Sequence, residues 1–215
     1  MGICIEDIEN LLIKGEWTKA DIETEKLIFS FCNSGKNLWL TPEDIDLIPL
    51  DTLARLEMLW TTYSQGRFGF QVQEQVHNRV RAELNNNPRD SIKQIISNVL
   101  YGNNDSMSNK EALMVPYFFG VEVGWIEGHP MDSLGAYGRE KNYEELTFNL
   151  SAPVGHLPCK TWWTLNNQAK RISIEALFKK YGILGMSGCI VKYSCSVKLH
   201  FFKRVRIANQ RFSKI

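Results

Sequence analysis

The sequence has no run of about 18 apolar residues, the length a helix needs to cross a bilayer. Its opening, Met1-Gly2-Ile3-Cys4-Ile5-Glu6-Asp7, lacks the basic segment and apolar stretch of a secretory signal, and its early acids do not suit a transit peptide. Gly2 invites comparison with a myristoylation motif, but Glu6 stands where that motif needs Ser or Thr. The expectation is a chain that works in the compartment where it is made. Cysteine is sparse: Cys4, Cys32, Cys159, Cys189 and Cys195 form no CxxC pair, and none lies at zinc spacing from a histidine. They read as free thiols in a reducing compartment, with a Cys189–Cys195 bridge as the alternative.

Catalytic motifs are missing as well. None of His77, His129, His156 and His200 pairs with another at i,i+4, and no GxSxG, P-loop or dinucleotide fingerprint occurs. Gly66-Arg67-Phe68-Gly69 lacks the lysine and the preceding strand of a phosphate cradle. Carboxylates such as Glu23, Glu25, Glu74 and Glu83 fall on polar helix faces, where solvation explains them. Nothing argues for an enzyme or a catalytic cofactor.

Acid is absent from residues 187–215, which carry Lys192, Lys198, Lys203, Arg204, Arg206, Arg211 and Lys214. Setting those seven aside leaves 18 basic against 24 acidic residues, a net charge of −6 for residues 1–186, although the whole chain carries +1. The sequence therefore divides into a mildly acidic body, 1–186, and a basic extension, 187–215.

What is present is ordinary globular material of 215 residues, 44% hydrophobic and 23% charged. Ile5, Ile8, Leu11 and Leu12 recur at helical spacing up to Gly15, and Trp17, Ala20, Thr24, Leu27, Ile28 and Phe31 make a second stripe. Thr41-Pro42-Glu43-Asp44 is a helix start, with a capping hydroxyl, a proline in the first turn and two acids at the positive end of the dipole. Asp51 is expected to cap a helix through Leu53, Leu56, Leu59, Trp60 and Tyr63, stopped by Gly66. Val72, Val76 and Val80 line another, ending near Asn85-Asn86-Asn87-Pro88. Further helices are expected over Ile92–Leu100 and Ile174–Tyr181, with loops at 101–110 and 126–142. From residue 191 the period changes. Val191, Tyr193, Cys195, Val197, Leu199, Phe201, Val205 and Ile207 alternate with polar or cationic residues, a strand-like pattern with one cationic face. Such a strand stays flexible, pairs with itself as a hairpin, or finds a partner. The cationic face suits an acidic partner or an anionic membrane surface.

Two stretches are more particular than generic helix. Leu59–Gln73 contains Trp60-Thr61-Thr62-Tyr63-Ser64-Gln65-Gly66-Arg67-Phe68-Gly69-Phe70, and Leu146–Pro158 contains Phe148-Asn149-Leu150-Ser151-Ala152-Pro153-Val154-Gly155-His156-Leu157. Together they resemble the signatures of the genomes-uncoupled family, the fourth of that name. Leu12, Gly15, Trp17 and Ala20-Asp21, the Trp39-Leu40 pair before Glu43-Asp44-Ile45, and Val123-Gly124-Trp125 add weaker support over about residues 5–185. The resemblance implies an all-α fold shaped like a cupped hand, with an apolar concave surface for a tetrapyrrole. It also implies a regulator that binds protoporphyrin IX and magnesium protoporphyrin IX and stimulates magnesium chelatase in chlorophyll biosynthesis through that enzyme's large porphyrin-binding subunit.

A porphyrin is a flat apolar disc with two propionates, so its site needs apolar walls and a few cations. Arg67 beside Phe68 and Phe70 is such a mixture; Trp125, Phe148 and Leu157 add wall, and Tyr137 lies in a suitable loop. Aromatic residues such as Phe70, Trp60 and Phe148 also suit a core, which on burial preference is the commoner fate. His156 reads as a buried histidine that holds its loop by hydrogen bonds rather than as a magnesium ligand. Where the family usually carries Lys or Arg, this chain has Val154. That departure keeps open a second reading, an interaction module of the same fold that has lost tight pigment binding. No nucleic-acid partner is expected. A transient association with a membrane surface follows from the basic extension, and the resemblance implies a plastid stroma (for a plastid-encoded chain) or a cyanobacterial cytoplasm.

Overall fold

The computed structural model describes residues 4–32, 40–86, 107–127, 139–162 and 186–212. It is mainly helical, as expected for an all-α protein. Helix α1 is Ile5–Ile13 and α2 Trp17–Ser30, joined where Gly15 adopts φ +69°. There the Glu16 amide donates to the Leu11 carbonyl at 2.9 Å and the Gly15 amide to Leu12 at 3.0 Å, satisfying the end of α1. Helix α3, Pro42–Leu47, starts with the expected Thr41 cap, and Asp44 completes a capping box by accepting from the Thr41 amide at 2.9 Å. Helix α4 is Leu50–Tyr63. Its N-cap is Pro49, not Asp51; Asp51 already lies in the first turn, and its carboxylate accepts from the Thr52 amide at 2.8 Å. Helix α5 is Phe70–Asn86.

Helix α6, Met107–Glu122, includes residues 107–110, where the sequence predicts a loop. Pro116 and Gly120 lie inside it, and apolar residues surround much of its circumference, so it carries neither a clean stripe nor a clean start in sequence. Two-residue strands β1, Ile126–Glu127, and β2, Arg139–Glu140, pair antiparallel, Ile126 opposite Glu140. A 3-10 turn at Tyr143–Glu145 follows. The helices expected over 92–100 and 174–181 lie outside the described residues.

The largest correction concerns the basic extension. Residues 186–212 form one helix, α7, Met186–Phe212, instead of a strand. Period two and period 3.6 share several positions over a short span, and the structure shows which wins. Val197, Phe201, Phe202, Val205 and Ala208 face inward and are buried, whereas Leu199 and Ile207, assigned to the same strand face, are exposed. Phe202, apolar at an even position where the strand pattern needs a polar residue, is a core residue.

Helix α7 packs across α4, α6, α3 and α5 and is part of the same core. Phe201 lies 4.8 Å from Phe70 and 5.4 Å from Trp162, ring centroid to centroid, both edge-on. The Lys198 ammonium sits 5.0 Å from the Phe119 ring and 5.2 Å from each of the Trp125 and Trp162 rings, a cation–π arrangement linking α7 to α6 and the 159–162 segment. Arg204 donates to the carbonyls of Asp46 (3.1 Å) and Ile48 (2.8 Å), covering the exposed acceptors at the end of α3. No helix among the described residues is long and apolar enough to cross a membrane.

Candidate functional site

Two signature segments meet. The α4–α5 turn, Ser64–Gly69, docks on the loop Thr147–Pro158 through one side-chain and two backbone hydrogen bonds. The Arg67 Nη2 donates to the Ala152 carbonyl at 2.7 Å, the Gly155 amide donates to the Arg67 carbonyl at 2.8 Å, and the Gly69 amide donates to the Leu157 carbonyl at 3.0 Å. From α5, the Gln73 amide nitrogen donates to the Pro158 carbonyl at 2.7 Å while its oxygen accepts from Trp162 Nε1 at 2.9 Å.

Histidine 156 fixes the loop from inside. Its Nδ1 lies 2.5 Å from the Val123 carbonyl, and its Nε2 is 3.3 Å from the Thr147 amide, which can only donate. Nε2 is therefore the acceptor and Nδ1 carries the hydrogen, so the ring is neutral. Burial lowers its pKa, in keeping with that state. Trp125 Nε1 donates to the His156 carbonyl at 2.9 Å, tying the end of α6 to the same loop.

Two buried carboxylates hold the frame: Asp21, which the sequence marks only as part of a weak motif, and Glu57, which it does not mark. Asp21 on α2 accepts from the amides of Cys159 (2.8 Å) and Lys160 (3.1 Å) and from the Tyr143 hydroxyl (2.9 Å). Burial raises its pKa while those donors favour the ionised form. Glu57 on α4 accepts from the Phe70 amide at 2.6 Å and the Gln71 amide at 3.1 Å, capping α5 from a neighbouring helix. Burial pushes it up to about 7. Gly69 is required beside it: its φ is +131°, and a Cβ there would stand 2.7 Å from Glu57 Oε1 and 3.1 Å from Thr61 Oγ1. A signal for both acids existed. Asp21 falls on the inward stripe with Trp17, Ala20, Thr24 and Leu27, and Glu57 falls among Leu53, Leu56 and Trp60.

The residues expected to contact a macrocycle divide into two groups. Phe68 and Leu157 are fully buried; Phe68 is edge-on to Trp17 at 5.6 Å. Phe70 and Trp125 are also core side chains, against Phe201 and Phe119 respectively. Arg67 and Phe148 are half-buried and Val154 is 43% exposed, all three on the paired segments just described. Leu150, which lies in the second signature stretch but is not among the expected contacts, is 38% exposed on the same loop. Tyr137 lies outside the described residues. The outer side of the Thr147–Pro158 loop thus presents Leu150 and Val154 with Phe148 partly covered, held by an arginine whose Nε is buried and has no hydrogen-bond partner. An apolar edge beside a half-buried arginine can take a flat apolar molecule carrying carboxylates.

A family model described as GUN4-like matches residues 1–173. Two proteins named "Uncharacterized protein ycf53" are similar over 73 residues: that of Porphyra purpurea at 32% identity and that of Pyropia yezoensis at 34%. In each case the match covers 33% of this chain and 31% of the relative, so it spans under a third of either ycf53 protein. The family is a regulatory one associated with tetrapyrrole binding, and the extent of the match shows that the chain belongs to the GUN4-like family.

Proposed function

We propose that this protein binds protoporphyrin IX and its magnesium form and stimulates magnesium chelatase by handing porphyrin to or from that enzyme's large porphyrin-binding subunit. Family membership supports tetrapyrrole binding in general. The observation that carries the site assignment is the Thr147–Pro158 loop, whose Leu150 and Val154 are exposed beside half-buried Arg67. The macrocycle would lie against Phe148, Leu150 and Val154. Arg67 uses Nη2 on Ala152, and the solvent-facing part of its half-buried guanidinium would meet a propionate. Phe68, Phe70, Trp125 and Leu157 act one layer beneath, keeping the loop in place.

The protein's own part is to bind, orient and shield the pigment; bound porphyrin supplies the light-absorbing, metal-accepting ring. The ycf53 relatives support a plastid location. The test is a magnesium chelatase assay with and without the purified chain at limiting porphyrin. A raised rate supports the reading, and an unchanged rate despite measured porphyrin binding removes the chelatase step.

A second reading rests on one observation. Val154 is exposed and apolar where the resembled family carries a cation, which suits an interaction module with weakened pigment affinity. Partner capture that is indifferent to saturating porphyrin would favour it.

A further inference from the structure

Helix α7 turns its apolar residues into the core and leaves an unusual outer face. Leu199, Lys203, Arg206, Ile207, Gln210 and Arg211 are all exposed and fall on one side of the helix. Leu199 is 43% exposed and Ile207 38%, two of the larger apolar side chains left in solvent. They stand eight residues apart, about 12 Å along the axis at the helical rise, with Lys203 one turn from each. Arg206 is paired with Glu74 of α5 at 3.0 Å, and Arg204 and His200, nearer the body, meet Asp46. Lys203 has no carboxylate partner among the described residues, and the guanidinium of Arg211 lies only over the adjoining Phe212 ring. No acid occurs anywhere in residues 187–215 to neutralise them.

We infer that this face is a docking surface for an acidic amphipathic helix of a partner protein. Its carboxylates would meet Lys203 and Arg211 (with Arg206 between them), and its apolar residues would cover Leu199 and Ile207. Charge complementarity supports this occupant: the charged residues that α7 contributes to this face are all cationic, so an acidic segment gains steering and register from it. A membrane surface fits less well. An interfacial helix needs a continuous apolar face to sink about 5–10 Å into the headgroup region, and on α7 that face is spent on Val197, Phe201, Phe202, Val205 and Ala208 in the core. Two isolated apolar residues separated by a lysine suit the knobs of another helix better. The inference does not depend on tetrapyrrole binding.

The experiment uses the full chain and a fluorescent helical peptide of Glu and Leu, with its leucines on one face, followed by anisotropy. Saturable binding is expected, weakening as salt rises. Lys203→Glu with Arg211→Glu should reduce affinity about tenfold or more, and Leu199→Ser with Ile207→Ser should reduce it severalfold, with circular dichroism unchanged in both because all four side chains are exposed. Porphyrin titration of the same variants should match the unsubstituted chain, separating this surface from the pigment site. Absence of peptide binding overturns the inference, as does binding indifferent to the charge reversal. Flotation with phosphatidylglycerol vesicles in preference to the peptide would replace the partner with a membrane. A dimer in analytical ultracentrifugation that the charge reversal abolishes would replace it with a second copy of the chain.

Discussion

Arg67 and Ala152, 85 residues apart, are joined by a 2.7 Å hydrogen bond from guanidinium to carbonyl, and the Arg67 carbonyl in turn accepts from Gly155 at 2.8 Å. This reciprocal link makes one surface of two segments that are remote in sequence. Arg67 thus holds the loop through both its side chain and its backbone.

Asp21 anchors that surface from below. Asp21→Ala would leave the amides of Cys159 and Lys160 and the Tyr143 hydroxyl without their buried acceptor. Each unsatisfied donor costs about 1–3 kcal/mol, so a loss of at least ~3 kcal/mol is expected in urea unfolding. A loss under ~1 kcal/mol would mean that solvent or other groups already serve these donors.

Glu57 and His77 predict opposing pH dependences. Burial raises Glu57 to about 7 in the fold against 4.5 as its ordinary value, so between these pH values the folded chain holds the extra proton and stability falls as pH rises. Burial, with Lys198 nearby, lowers His77 to about 4 from 6.5, so there the unfolded chain holds the extra proton and stability climbs with pH from about 4 to 6.5. The two largely offset each other in the unsubstituted chain. Glu57→Gln should uncover the climb and His77→Gln the fall, each on the order of 3 kcal/mol across its window. Parallel pH profiles for both variants would refute this assignment.

Gly69 has no room for a side chain. Gly69→Ala would place a methyl 2.7 Å from Glu57 Oε1 at a φ of +131°, at a cost of about 2–3 kcal/mol and a loosened α4–α5 turn. Thermal unfolding with amide exchange at Phe70 and Gln71 reads both effects. An unchanged midpoint would show that Glu57 swings aside freely.

Phe201 tests the place of α7 in the core. It is fully buried between Phe70 and Trp162, so Phe201→Ala should cost about 3–5 kcal/mol. A peripheral tail would tolerate the change within ~0.5 kcal/mol.

Much of the helical frame was legible because its signals are local. The Trp17–Phe31 stripe, the Thr41 cap and the stop near Gly66 each act within a few residues. Helix α7 reads as a strand in sequence because Val197, Phe201 and Val205 satisfy periods of both two and four; the burial of Phe202 and Ala208 and the exposure of Leu199 and Ile207 separate them. Helix α6 is not legible in sequence because apolar residues on most sides, with Pro116 inside, erase the stripe. For the candidate site, the sequence singles out both segments but not which of their side chains are buried. Phe68, Phe70, Trp125 and Leu157 have the chemistry of a macrocycle wall and the burial of a core, and composition alone does not distinguish the two. Asp21 and Glu57 are acids on inward stripes, a pattern readable only when stripe and charge are considered together.

The most direct test of tetrapyrrole binding on the Thr147–Pro158 loop is a titration with deuteroporphyrin and its magnesium form, read by quenching of the six tryptophans and corrected for pigment absorbance. The unsubstituted chain, Arg67→Ala and Val154→Arg should be titrated side by side. The account predicts saturable binding, weakened about tenfold in Arg67→Ala and tightened severalfold in Val154→Arg, where a new cation on an exposed position meets a propionate. No saturable binding by either the unsubstituted chain or Val154→Arg would contradict it.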